Sequence, residues 1–298
     1  MTWLPFVLVL VSAFCHAGWN FIGKKSVPFL SFFTLVSVWA SLVLLPVAIV
    51  FSDITTHIIA EYYPFLIATG FFQAWYFVGL SGGYRGYELS VIYPLARALP
   101  VALVPLAVSA FSDQHYQLSQ YLGVILIVLG CLLVPFRGRD VFWSSLKSKG
   151  VFYAVIAAVA TTGYSYVDQL VLSSVAEELS EHFSWQRSLV YMFLLSVSAS
   201  CWTLLFSLFP RESAEQWRQS LNSQLTSSIS TALVMTLTYS LVLIAMNYTE
   251  HVGQVVALRQ VSIPIGVAMG IWWLNEEFNR TKLLGLVGLM VGIYLVLA

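Results

Sequence analysis

A chain of 298 residues that is 59% hydrophobic and only 9% charged has too few polar side chains to coat a water-soluble domain of its size; soluble proteins carry about 25% charged residues. Lysine plus arginine balances aspartate plus glutamate at 14 each, a net charge of zero that excludes the basic field a nucleic-acid binder needs. The three cysteines (Cys15, Cys131 and Cys201) lie apart in apolar runs and read as small core residues rather than metal ligands.

A helix needs about 20 apolar residues to cross a bilayer. Ten candidate spans meet that length, at approximately 3–22, 30–51, 62–82, 87–110, 117–135, 150–171, 186–209, 229–247, 251–274 and 282–298. Span 1 lacks the basic leader and small-residue cleavage site of a signal peptide, and reads as a retained helix. It places His16 and Asn20 on one face, four residues apart, with Trp19 adjacent. Three such groups suit a cavity wall; a histidine satisfied by a neighbouring helix is the commoner source of such a pattern. In span 3, Gln73 and Tyr76 share a face while Trp75 points elsewhere.

Span 4 opens on Glu88 and reaches Arg97 nine residues later, in the stretch ELSVIYPLAR, which also holds Tyr93. Span 9 repeats the plan with Glu250 and Arg259 in EHVGQVVALR, offset by 162 positions. The same offset carries Gly123 of span 5 onto Gly285 of span 10, and Gly130 onto Gly292. Four landmarks in one register argue for an internal duplication. Because the repeated unit has five spans, an odd number, its copies must sit in opposite orientations, the inverted-repeat plan of many transporters. The expected architecture is therefore an all-α polytopic membrane protein of ten transmembrane helices in two inverted five-helix repeats. Residues 1–136 form the first repeat, 137–149 a basic linker loop and 150–298 the second.

Charged groups at bilayer depth cost roughly 2.5–3.5 kcal/mol on insertion scales, so they tend to be kept for a function. Arg97 and Arg259 fall near the middle of their spans, where a two-fold axis in the membrane plane brings equivalent residues together. Two roles fit them. Both can face one cavity and hold an anionic group by paired hydrogen bonds, or each can pair permanently with Glu88, Glu250 or Asp168. Prolines flank both arginines (Pro94, Pro100 and Pro105 in span 4, Pro264 in span 9). Each frees a backbone carbonyl, tolerated at bilayer depth only inside protein or along a wet cavity.

Span 6 supplies Tyr164 and Asp168 on one face, and span 8 supplies Tyr239. Asp168 is the candidate proton carrier of its half if buried, and an inert surface residue if it lies at the membrane boundary; Glu88 and Glu250 are the other candidates for coupling or charge pairing. Gly123, Gly130, Gly285, Gly288 and Gly292 allow close helix approach, within one chain or in a homodimer. The polar stretch 210–228 reads as a short interfacial helix with Trp217 at the headgroups, or as a solvated linker. Two N-x-T sequons, at Asn247 and Asn279, fall on opposite sides of the membrane and read as chance. Eleven basic loop residues lie on one side and only Arg187 on the other, which puts both termini outside the cytoplasm.

The sequence has no GxSxG elbow, no HExxH pair and no GxxxxGK[ST] loop, so neither a cofactor nor a metal is expected and ATP hydrolysis by this chain is excluded.

HAGWNFIGKK (16–25), YPLARALP (93–100), VALRQVSIP (256–264) and WLNEEFNRTKLLG (273–285) resemble the EamA-type branch of the drug/metabolite transporter superfamily. The likeness extends over essentially the whole chain. The first half departs where the acidic turn of the second has Glu276 and Glu277, carrying Asp113, Gln114 and His115 instead. The resemblance implies ten helices in two inverted halves and the export or exchange of small metabolites such as amino acids. The expectation is a secondary transporter in the plasma (inner) membrane. Its partners are the lipid bilayer and a small polar solute, anionic or zwitterionic. The candidate binding set is Arg97, Arg259, Tyr93, His16, Trp19, Asn20, Gln73, Tyr76, Tyr164 and Tyr239, with no catalytic residues. The competing expectations are a membrane-embedded enzyme acting on a lipid phosphate, and a non-transporting membrane partner protein.

Overall fold

The computed structural model describes the chain except residues 24–28, 85–88, 112–116, 135, 137–148, 209–213, 250 and 275–277; the side chains of 19–23, 84, 89–95, 111, 270, 273 and 274 are also outside the described set. Every described element is a helix, the form in which an apolar chain satisfies its own backbone donors and acceptors. In order they are α1 (Trp3–Gly23), α2 (Leu30–Val50), α3 (Ser52–Tyr84), α4 (Leu89–Phe111), α5 (Leu118–Leu133), α6 (Lys149–Glu178), α7 (Ser184–Leu208), α8 (Ala214–Asn222), α9 (Leu225–Met246) and α10 (Val252–Leu258). A 3-10 turn (Arg259–Val261) then leads into α11 (Ser262–Leu274) and α12 (Arg280–Leu297).

Among the described residues seven segments are long and apolar enough to cross a membrane: Leu30–Val50, Ser52–Gly83, Lys149–Glu178, Ser184–Leu208, Leu225–Met246, Val252–Met269 and Arg280–Leu297. Shorter apolar helices run over Trp3–Gly18, Ala96–Ala110 and Leu118–Leu133. The outer faces present Leu42, Ile49, Leu129, Leu237 and Val291, whereas Ser165, Asp168, Arg259 and Gln260 are buried. That distribution reverses the order of a water-soluble protein. The chain is a polytopic helical membrane protein.

Many serines and threonines in the spans bond back to their own helix, as Thr34 does to the Leu30 carbonyl, Thr161 to Ala157 and Ser196 to Met192. A hydroxyl placed four residues after a carbonyl thus brings no orphaned donor into the apolar phase.

Three span boundaries differ from the sequence expectation. Helix α3 starts at Ser52 rather than 62, and α6 ends at Glu178 rather than 171. Counting apolar residues stops at charges, but here the charged helix ends stabilise one another. His57 Nε2 lies 2.8 Å from Glu178 Oε2, the Tyr62 hydroxyl donates to Glu178 Oε1 at 2.6 Å, and His182 Nε2 lies 3.1 Å from Asp53 Oδ2. Arg187 donates to the Leu179 carbonyl at 2.6 Å, satisfying a carbonyl just past the end of α6. The third difference is the 210–228 stretch. It contains the short helix α8, with Trp217 half-buried, and α9 begins at Leu225 instead of 229. The hydroxyls of Ser220 and Ser31, 2.9 Å apart, tie α8 to α2.

Helices of residues 1–136 pack mainly on helices of 150–298: α5 on α12, α3 on α6 and α7, α2 on α7 and α9, α4 on α6, and α1 on α9 and α11. The α5–α12 contact brings the two backbones together. A Cβ on Gly123 would stand 2.6 Å from the Gly292 carbonyl oxygen, and one on Gly292 would stand 2.6 Å from the Gly123 carbonyl oxygen. Gly130 and Gly285 repeat the arrangement, at 2.6 and 2.9 Å. The pairing of 123 with 292 and of 130 with 285 makes the two helices antiparallel. These four glycines are used within one chain; Gly288 is not part of the crossing, its nearest neighbour being the Leu126 carbonyl oxygen at 3.9 Å.

Both sequon asparagines carry structural roles. Asn247 donates to Ser188 Oγ at 2.9 Å beyond the end of α9. The Asn279 side chain accepts from the Lys282 amide at 2.8 Å and caps the start of α12.

Candidate functional site

Helices α3, α4, α6 and α10 converge with the 3-10 turn on a small cleft, part of it continuous with the exterior. Tyr76, Leu80, Ala96, Arg97 and Pro100 line it from the first half of the chain. Thr161, Tyr164, Val256, Arg259 and Gln260 line it from the second. The cleft therefore lies on the boundary between the halves, with both expected arginines in its wall.

The arginines are not equivalent. Arg97 Nη2 donates to the Arg259 carbonyl at 2.9 Å and to Ser262 Oγ, whose hydroxyl in turn donates to the same carbonyl at 2.8 Å. Arg97 Nη1 lies 3.1 Å from His16 Nε2. A guanidinium can only donate, so Nε2 must be the acceptor and the ring proton sits on Nδ1. Arg97 thus clasps α1, α4 and the broken helix together. The permanent partner expected for it among Glu88, Glu250 and Asp168 is not Asp168; Glu88 and Glu250 lie outside the described residues. His16 is a histidine satisfied by a neighbouring helix, the bland alternative for that residue.

The break at 259–261 explains why a carbonyl is available. Pro264, lacking an N–H, cannot give the Gln260 carbonyl its α-helical donor. The chain instead tightens into a 3-10 turn just before the proline, and the carbonyl that receives side-chain donors is that of Arg259, one residue earlier. In contrast α4 stays helical through Pro94, Pro100 and Pro105.

Arg259 is buried but, among the described residues, its side chain donates no hydrogen bond. Its guanidinium carbon stands 5.7 Å from the centroid of the Tyr239 ring, within cation–π range. Tyr239 packs edge-to-face on Tyr164 (5.6 Å, 89°), and Tyr164 on Tyr76 (6.1 Å, 80°). Tyr76 and Tyr164 reach the cleft, while Tyr239 supports Arg259 from behind.

Asp168 is fully buried among the helices and is not an exposed side chain. Thr69 and Tyr191 donate to its Oδ1 at 2.5 and 2.7 Å, and Tyr239 donates to Oδ2. Three hydroxyl donors on two oxygens form the shell an ionised carboxylate takes in an apolar interior. Tyr239 therefore joins the two charges: its hydroxyl serves Asp168 and its ring faces Arg259.

Of the remaining sequence candidates, Gln73 is half-buried with its Oε1 unpartnered, away from the cleft wall. Trp75 is exposed and packs on Phe71, away from Tyr76, which packs on Tyr164. The side chains of Trp19, Asn20 and Tyr93 lie outside the described residues. Sequence reasoning missed Thr69, Tyr191 and Ser262. The first two lie 99 and 23 positions from Asp168, and nothing local marks them. Ser262 carried a signal, being a hydroxyl two residues ahead of a proline that breaks the helix. Among the described residues no three His, Cys, Asp or Glu side chains form a group that could hold a metal.

No family model and no curated protein matches the chain. A crystal structure of a protein 12% identical to it superposes with a TM-score of 0.65, over 98% of this chain and 96% of the other. At that identity the likeness is one of fold.

Proposed function

We propose that the chain is a secondary transporter of the EamA type, built from two inverted five-helix repeats. It moves a small polar solute, anionic or zwitterionic, by alternating access across a plasma (inner) membrane. The observation that carries the reading is the seam itself. Arg97 and Arg259, 162 positions apart, are joined directly where the two halves enclose the cleft.

The helix contacts support the repeat. Shifting by 162 positions turns the contact of Gly123 on Gly292 into that of Gly285 on Gly130, the same contact with partners exchanged, as a two-fold axis requires. The packing of α3 on α6 and of α1 on α9 is exchanged in the same way, as is that of α4 on α6 and α1 on α11. With α10, the turn and α11 counted as one crossing, ten crossings result. A cleft shared by two such halves, beside a discontinuous helix, is the setting in which transporters bind solute near the midplane. Asp168, whose Tyr239 donor also faces Arg259, remains with Glu88 and Glu250 a candidate for proton coupling or charge pairing. Both termini are extracytoplasmic on the basic-loop count.

The test is flux by the purified chain in liposomes over a panel of labelled amino acids and organic acids. Uptake or exchange that depends on Arg259 is the expected result; no flux of any solute by folded protein would overturn the proposal. Cysteine labelling in the 136–149 loop checks the orientation, and reaction from outside intact cells would reverse it.

A further inference from the structure

On the reading of the cleft as a solute site, we infer that its solute is a monocarboxylate with a compact apolar body, held through Arg259 alone. Arg97 has no free fork to offer. Its Nη2 is engaged by the Arg259 carbonyl and Ser262, its Nη1 by His16, and its Nε is buried without an acceptor. Arg259 lines the cleft, and among the described residues its N–H groups have no protein acceptor. Its planar edge is available for the two oxygens of a carboxylate, and the Tyr239 ring behind it fixes the plane.

Charge balance narrows the class. Among the described residues the charges around the cleft are the guanidiniums of Arg97, half-buried, and Arg259, buried, and the buried carboxylate of Asp168. His16 accepts from Arg97 and adds no positive charge. Among these described groups one positive charge is left over beside Arg259, where a buried uncompensated charge is strongly unfavourable. A monoanion cancels it. A dianion reverses it, and a zwitterion leaves it in place while bringing an ammonium that needs an acceptor of its own. No acidic side chain lines the cleft among the described residues, the oxygens of Asp168 are already taken by three hydroxyls, and the unpartnered acceptor in the wall, Gln260 Oε1, is neutral and cannot balance an ammonium. Beside the polar groups of Thr161 and Gln260, the wall around Arg259 has an apolar part formed by Leu80, Pro100, Val256 and the Tyr164 ring, which suits a short hydrocarbon or a single flat ring.

Titration calorimetry on the full chain in nanodiscs tests this with benzoate and butanoate against phthalate, phenylalanine and benzylammonium. The two monocarboxylates should bind at least about tenfold more tightly than the other three. Replacing Arg259 removes a charge-assisted pair, so Arg259→Gln should weaken benzoate about 10- to 100-fold. Arg259→Lys, which keeps charge but loses the fork, should fall between. Arg187→Gln, a buried arginine at the α6–α7 end, should leave benzoate affinity unchanged. The ranking on the unmodified chain needs no variant to fold. Equal or tighter binding of phenylalanine or phthalate, benzoate binding that survives Arg259→Gln, or no binding of either monocarboxylate would each overturn the inference. Flux of a zwitterion without monocarboxylate binding would sink this inference and leave the transporter reading intact. Monocarboxylate binding without flux would do the reverse.

Discussion

Replacing Arg97 with lysine keeps the charge and removes the geometry. In the native chain two terminal nitrogens serve three acceptors on two other elements: His16 Nε2, the Arg259 carbonyl and Ser262 Oγ. A single ammonium cannot span His16 and the broken helix together, so Arg97→Lys retains at best one of the three. A hydrogen bond involving a charged group contributes about 1.5–3 kcal/mol, so losing two costs about 3–6 kcal/mol. Water entering the open end of the cleft recovers part, which places the expected loss near 3 kcal/mol. Reversible denaturant unfolding in micelles, followed by tryptophan fluorescence, measures it. A double-mutant cycle with His16→Ala should give a coupling of about 0.5–3 kcal/mol, as for residues in one network. Arg97→Lys with wild-type stability, or effects of the two substitutions that simply add, would refute the clasp.

Gly130→Ala places a Cβ 2.6 Å from the Gly285 carbonyl oxygen, a backbone atom that cannot rotate away, so α5 and α12 must part. The same unfolding assay should show a loss of about 1–3 kcal/mol, with Gly288→Ala close to neutral; equal losses for the two would contradict the crossing. Asp168→Leu strands the hydroxyls of Thr69, Tyr191 and Tyr239, each costing about 1–3 kcal/mol if left unsatisfied. It should melt well below Asp168→Asn, which still offers an acceptor, and an order reversed in calorimetry would rule out the three-donor shell. Asn279→Ala removes the cap on the Lys282 amide and should cost about 0.5–2 kcal/mol, largely restored by Asn279→Asp. Hydrogen exchange at the first turn of α12 reads it directly, and unchanged protection would argue that the cap contributes nothing.

The pairing of the two arginines was legible because a duplication leaves its register in the sequence: 97 and 259 share an offset with the glycines of α5 and α12. What each arginine does was not legible. The offset makes them look interchangeable, yet the 3-10 turn exists on one side only, where Pro264 follows Ser262 and creates the carbonyl that Arg97 reaches. Helix ends were misjudged at Ser52 and Glu178 because their charged residues answer to one another across 121 positions in the His57–Glu178 pair, a relation no local window contains. Asp168 could be singled out as a carboxylate in an apolar run. Its depth depended on Thr69 and Tyr191, which only the packed helices bring to it.

The interleaving of the halves also governs how this protein comes into being. Since α1 to α5 find most of their partners beyond residue 149, the portion made first enters the bilayer without the surfaces it is shaped to meet. Gly123 and Gly130 then face lipid, and Arg97 has no carbonyl from the second half to hold. Final assembly must wait for late synthesis and close as one event, and two fragments cut between 137 and 149 should regain shape only when produced together.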